Sequence, residues 1–132
     1  MTPSIAIEAH IDRSGNLRYA GEMRLPNADQ AVIAPEKLRG YLLNPRHRRG
    51  ATKARVLLAM GYQATAWEKL EMDLRIQHLA VDIAQTSQSV YGQRFDIVAP
   101  LTGPNGSQVR FPSIWQIDAG NDIARFITMY PE

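Results

Sequence analysis

Residues 95–117 read FDIVAPLTGPNGSQVRFPSIWQI. Phe95, Ile97 and Ala99 recur at every second position, and the same period returns at Val109, Phe111, Ser113, Trp115 and Ile117. Successive strand side chains point to opposite faces, so both runs predict strands with one apolar face. Gly103-Pro104-Asn105-Gly106 between them supplies turn residues and predicts a hairpin. It lacks the lysine and following helix of a phosphate-cradling loop. After a second turn signal at Asp118-Ala119-Gly120-Asn121-Asp122, Phe126, Thr128 and Tyr130 repeat the alternation. The spacing predicts an antiparallel meander of three to four strands from Tyr91 onward.

Upstream the period lengthens. Ala34-Pro35-Glu36-Lys37-Leu38 places Pro at a first helical position, and Pro45 ends that helix near Asn44. A second helix is predicted from Ala51 to Met60, closed by Gly61. A third spans about 65–84, with Trp67, Leu70, Leu74, His78 and Val81 on one stripe and Met72, Ile76, Leu79 and Ile83 on the opposite one. One face suits the sheet. The other calls for the second helix, a second copy in a homodimer, or a separate protein. At the N-terminus, Ile5, Ile7, Ala9 and Ile11 alternate with polar residues, Arg13-Ser14-Gly15-Asn16 interrupts, and Leu17 and Tyr19 resume, which predicts a β-hairpin. The expected class is α+β: an N-terminal β-hairpin, about three helices, then the meander. The expected organisation is a hairpin extension at 1–23 and a single domain at 24–132.

The chain has 132 residues, 45% of them hydrophobic, enough for one core without staples. It lacks cysteine, which removes disulfides, thiolate zinc sites and a cysteine nucleophile. No histidine and carboxylate residues cluster, so neither a metal site nor a cofactor is expected. No segment reaches bilayer-spanning length and the start lacks a basic leader, so a cytoplasmic protein is expected. Charge is polarised. Between Glu36 and Arg55 stand seven basic residues against one acid, a local charge of +6, which leaves the rest at −4 within an overall +2. Such polarity points to a local anionic ligand.

Arg46, His47, Arg48 and Arg49 occupy a proline-initiated loop, where a neutral imidazole is a candidate base. Its alternative is an exposed basic loop with an incidental histidine. Lys53 and Arg55 follow Gly50 at the opening of the second helix, where free amides already favour an anion. Arg110, on the polar face of its strand, is a candidate phosphate clamp or a cross-strand partner of Asp96. Thr128 and Tyr130 are candidate hydrogen-bond donors to phosphate or ordinary strand packing. His78, on an apolar stripe, reads as a core histidine, and His10 as a surface one.

Leu25-Pro26-Asn27-Ala28, Lys37-Leu38, Tyr41-Leu42-Leu43-Asn44-Pro45, His47 with Gly50, Lys53-Ala54-Arg55, Gly61, Tyr91-Gly92, Gly103-Pro104-Asn105-Gly106, Val109-Arg110, Trp115-Ile117 and Thr128-Tyr130-Pro131 occur in an order that resembles a small bacterial and phage family of unknown function. Its members are often encoded beside a second small protein, as toxins and antitoxins are. The layout is similar to ribonucleases of the barnase, colicin and RelE type. That resemblance spans residues 24–131. It implies metal-independent RNA cleavage by the ribose 2′-hydroxyl, with His47 as base or acid, Lys53 and Arg110 as stabilisers, Thr128 as a positioning donor and Tyr91 stacking on a base. Arg46, Arg48, Arg49 and Arg55 would bind the RNA backbone. The implied partners are RNA and a cognate antitoxin-like or host protein. The alternative function is a non-catalytic protein-binding module or inhibitor encoded by a phage or mobile element.

Overall fold

The computed structural model describes residues 9–11, 17–19 and 23–132. Two short strands, β1 (Ala9–Ile11) and β2 (Leu17–Tyr19), precede the helices. Helix α1 (Pro35–Lys37) runs into a π-turn at Leu38–Leu42. Helix α2 covers Ala51–Ala59, and α3 (Trp67–Asp73) runs into a second π-turn at Leu74–His78. Strands β3 (Gln85–Ser89), β4 (Gly92–Thr102), β5 (Gln108–Asp118) and β6 (Ala124–Met129) follow. The sheet order is β1-β2-β3-β4-β5-β6, and every pairing is antiparallel.

This arrangement overturns the expected architecture. Among the described residues the N-terminal strands do not form a separate hairpin: β2 pairs with β3 through Leu17 opposite Thr86 and Arg18 opposite Gln85, so the described N-terminal segments prolong the edge of one sheet. The expected turn at Arg13-Ser14-Gly15-Asn16 and the positions Ile5 and Ile7 lie outside the described residues. The sheet that follows the helices begins at Gln85, not Tyr91. Gln85-Thr86-Ser87-Gln88-Ser89 carries no apolar alternation, so its pairing with β2 and β4 makes it a strand.

The expected helix at 65–84 is also corrected. Its regular part ends at Asp73, and the π-turn changes the angular spacing of everything after it. Leu70, Leu74 and His78 are buried as one stripe. The second stripe does not survive as a face: Met72 and Ile76 are exposed, while Leu79 and Ile83 turn into the core. A homodimer through that face therefore loses its continuous apolar surface.

One face of the sheet, carrying Phe95, Ile97, Leu101, Phe111, Trp115 and Phe126, packs against Leu38, Leu42, Leu57, Leu70 and Leu74 from the helical layer. Trp115 and Phe126 meet edge to face at 5.2 Å. The β4–β5 turn does more than reverse the chain. Asn105 donates its backbone N–H to the Met60 carbonyl at 3.1 Å and its side-chain amide to the Ala59 carbonyl at 2.8 Å. Those are orphan acceptors at the end of α2, so the turn caps the helix and fixes it over the sheet.

The alternation Phe126, Thr128, Tyr130 is broken by a β-bulge. Trp115 pairs with Phe126, but Ile114 pairs with Thr128, and the extra residue is Ile127. Phe126 and Met129 are buried, while Thr128 moves to the side of Ile114. Strand β6 is an edge strand of the sheet, and a parallel bridge joins its Arg125 to Val32. Among the described residues no helix is long and apolar enough to cross a membrane.

Candidate functional site

The basic loop is held by its own backbone. Asn44 Oδ1 accepts the Arg46 N–H at 3.0 Å, and the Asn44 carbonyl accepts the His47 N–H at 3.1 Å, which turns the chain sharply after Pro45. His47 Nδ1 then accepts two backbone amides, from Arg49 at 3.1 Å and Gly50 at 3.2 Å, just ahead of α2. With Nδ1 engaged as an acceptor, the proton of the neutral ring sits on Nε2. The imidazole thus presents a donor.

Helix α2 carries Lys53 from this loop toward the edge strand. Lys53 Nζ donates to Thr128 Oγ1 at 3.0 Å and to the Tyr41 hydroxyl at 2.5 Å, and Tyr41 and Thr128 hydroxyls lie 3.2 Å apart. His47 meets the Tyr41 ring edge to face at 4.8 Å, and Lys53 lies 4.9 Å from its centroid. Lys37, one helical turn before Tyr41, lies 6.0 Å from the same ring. Gly50 makes the close approach possible, since a Cβ there would fall 2.6 Å from the Tyr41 carbonyl oxygen.

These groups surround a cavity of about 380 Å³ walled by Lys37, Tyr41, His47, Arg49, Ile127 and Thr128. Among the described residues no carboxylate lines it. Partial burial raises the Tyr41 pKa, but hydrogen bonds with Lys53 and Thr128 and the charges of Lys53 and Lys37 outweigh it, so the phenol is more acidic than an ordinary tyrosine. The arrangement is a hydroxyl pair and a polarised phenol in a positive field, suited to holding an anion and moving a proton beside it.

Of the residues singled out from sequence, His47, Lys53 and Thr128 come together, and Arg49 joins them in the cavity wall. Arg110 does not: its Nε pairs with Glu132 at 2.8 Å, away from the cavity lining. Arg46, Arg48 and Arg55 are exposed around the loop and on α2. Tyr91 is 74% exposed and lines a different cavity, on the sheet face away from the helices. Tyr41 and Lys37 were not singled out for chemistry. Their signal was the spacing of four between a lysine and a tyrosine on a short helix beside a charged loop.

Among curated proteins none matches this chain. One solved structure with a similar fold is a chain of the contact-dependent growth inhibition toxin and immunity protein complex from Klebsiella pneumoniae 342. The two are 18% identical with a TM-score of 0.57, and the match covers 76% of this chain and 99% of that one. At that identity the likeness is one of fold. Residues 24–132 match the model of a domain of unknown function, DUF6883, and the chain belongs to that family.

Proposed function

We propose that this chain is a toxin-like, metal-independent ribonuclease that a cognate protein neutralises. The observation that carries the reading is the meeting of Tyr41, Lys53 and Thr128, from three separate elements, at a cavity walled also by His47, Lys37 and Arg49. The similarity to a chain from a toxin and immunity protein complex supports a toxin-like or immunity protein role and the existence of a protein partner.

Cleavage by the ribose 2′-hydroxyl needs a base, an acid for the departing 5′-oxygen and positive charge at the phosphorane. In its phenolate form, which the Lys53 and Thr128 hydrogen bonds and the Lys53 and Lys37 charges favour, Tyr41 takes the 2′-hydroxyl proton as the oxygen attacks the adjacent phosphorus. The P–O5′ bond breaks, the proton returns to the 5′-oxygen, and a 2′,3′-cyclic phosphate remains. Lys53 and Lys37 stabilise the added negative charge. Thr128 fixes the Tyr41 hydroxyl and the lysine, and His47 donates from Nε2 to a phosphate oxygen. Arg110 has no part in this scheme, and Arg46, Arg48, Arg49 and Arg55 draw the RNA to the loop.

The test is incubation of the purified chain with RNA in excess chelator, with the product ends identified. Cyclic phosphate ends that disappear in Lys53→Ala and Tyr41→Phe support the reading. Intact RNA with the native chain sinks it. A second reading, a non-catalytic protein-binding module, is favoured by the exposed Met72 and Ile76, four positions apart near the end of α3 and in its π-turn. A stable protein complex formed without RNA cleavage would favour it.

A further inference from the structure

The sheet face away from the helices holds two more cavities. One, of about 410 Å³, has Ser87, Tyr91, Arg94, Gln116, Asp118 and Arg125 in its wall. The other, of about 380 Å³, shares Ser87 and Arg94 with the first, and shares Ile127 and Thr128 with the basic cavity. These two cavities each have wall residues on β3, β4, β5 and β6, and the second shares Ile127 and Thr128 with the basic cavity at the β6 edge. Four strands are three spacings, roughly 14 Å across, more than a single nucleotide needs.

Charge sorts them. Among the described residues the basic cavity has no carboxylate in its wall and suits phosphate. Among the same residues the middle cavity has Arg94 and Asp96 in its wall. The far cavity contains Asp118, whose Oδ1 accepts from Gln116 Nε2 at 2.7 Å and whose Oδ2 accepts from Arg125 Nε at 2.8 Å. Arg125 neutralises that carboxylate, so the pair tolerates a neutral polar ring beside it. Gln116 is only 9% exposed, and the bond to Asp118 orients its amide while no described residue donates to its Oε1. Arg94 is exposed and makes no ion pair among the described residues. Tyr91 adds an exposed aromatic face to the same wall. An aromatic face, an oriented amide and a planar cation are the groups that stack on an unpaired base and bond to its edge.

We propose that Tyr91, Arg94 and Gln116 form a base-reading subsite for the single-stranded RNA whose phosphate lies at Tyr41, Lys53 and Thr128. The proposal rests on the ribonuclease reading for the placement of that phosphate. It assigns base recognition to the far end of the open face and backbone contact to the basic cavity.

The test uses short 2′-O-methyl oligoribonucleotides of each base, which lack the attacking hydroxyl, and follows binding by fluorescence anisotropy at low salt. Tyr91→Ala, at an exposed position that leaves folding intact, should weaken binding roughly 5- to 100-fold, the cost of one stacked base. Gln116→Met should flatten the preference among bases. Binding by the native chain that neither substitution alters overturns the subsite. RNA cleavage measured in parallel separates the two ideas: cleavage without these binding effects removes the subsite and keeps the ribonuclease, and binding effects without cleavage do the reverse. No binding by the native chain overturns the subsite outright.

Discussion

Lys53 Nζ donates to Thr128 Oγ1 at 3.0 Å across 75 positions of sequence, tying the second helix to the edge strand with Tyr41 between them. The bond depends on the β-bulge at Ile127, which moves Thr128 off the core face. It also depends on Asn105, which fixes the far end of α2.

Replacing Lys53 should raise the Tyr41 pKa. Burial already pushes that phenol up, and the bonds and charges that lower it come chiefly from Lys53 and Thr128. Lys53→Met removes two of the lowering contributions and leaves the burial. A pH titration of ring-labelled tyrosine by NMR reads the shift directly, and an unmoved Tyr41 resonance would show that the lysine does not tune it. Cleavage by the same variant should fall by about 10²- to 10³-fold, the usual effect of losing one preorganised donor at the reacting charge.

Gly50→Ala should disturb the same phenol from the other side. The new Cβ would lie 2.6 Å from the Tyr41 carbonyl oxygen and 2.9 Å from its Cδ1. One of those atoms belongs to the backbone and has no rotamer to escape into, so either α2 or the π-turn at Leu38–Leu42 must shift. A loss of about 1–3 kcal/mol in stability is expected. Urea unfolding with an unchanged m-value measures it, and a midpoint equal to the native one would show that the approach is slack.

Particular residues show how much of this was legible. The strands around Phe95, Phe111 and Trp115 were readable because their alternation is local and the turn between them has its own chemistry. Strand β3 was hidden, because polar Gln85–Ser89 becomes a strand only through partners supplied by β2 and β4. The third helix misled because period 3.6 was projected through a π-turn that nothing in Leu74–His78 announces. At the site, His47 and Lys53 stood out by charge. Tyr41 did not, since its role comes from Lys53 twelve positions away and Thr128 eighty-seven away. Arg110 looked suitable on its strand, yet Glu132 takes its guanidinium.

Tyr62→Phe should destabilise the fold without touching the site. The Tyr62 hydroxyl donates to Asp73 Oδ2 at 2.6 Å, and Lys69 donates to Oδ1 at 3.0 Å. Asp73 is 3% exposed, so deleting the hydroxyl leaves a buried carboxylate oxygen short of a donor. The expected cost is about 1.5–3 kcal/mol, typical of a hydrogen bond to a charged group. Adding Asp73→Asn should then cost less than it does in the native background. Strictly additive losses in that double-mutant cycle would mean the two groups are not coupled.

His78 should make the fold sensitive to mild acid. It is fully buried between the helical layer and the sheet, with Nδ1 2.8 Å from Ser113 Oγ, which also accepts from Trp115 Nε1 at 2.9 Å. Among the described residues its Nε2 has no hydrogen-bond partner. Burial pushes the pKa from 6.5 down to about 4, an effect the Ala99 backbone offsets only in part. The unfolded chain therefore binds this proton more readily than the folded one. Stability from the neutral ring is complete above pH 6.5 and falls as the pH drops from there toward about 4, by about 3 kcal/mol in all. Below that range the protonated ring adds no further slope. His78→Gln, which keeps a polar group beside Ser113, should remove this pH dependence while lowering stability at neutral pH. Denaturant midpoints recorded across the window for both chains decide it, because a native chain whose acid slope matches that of His78→Gln would show that other groups set the response.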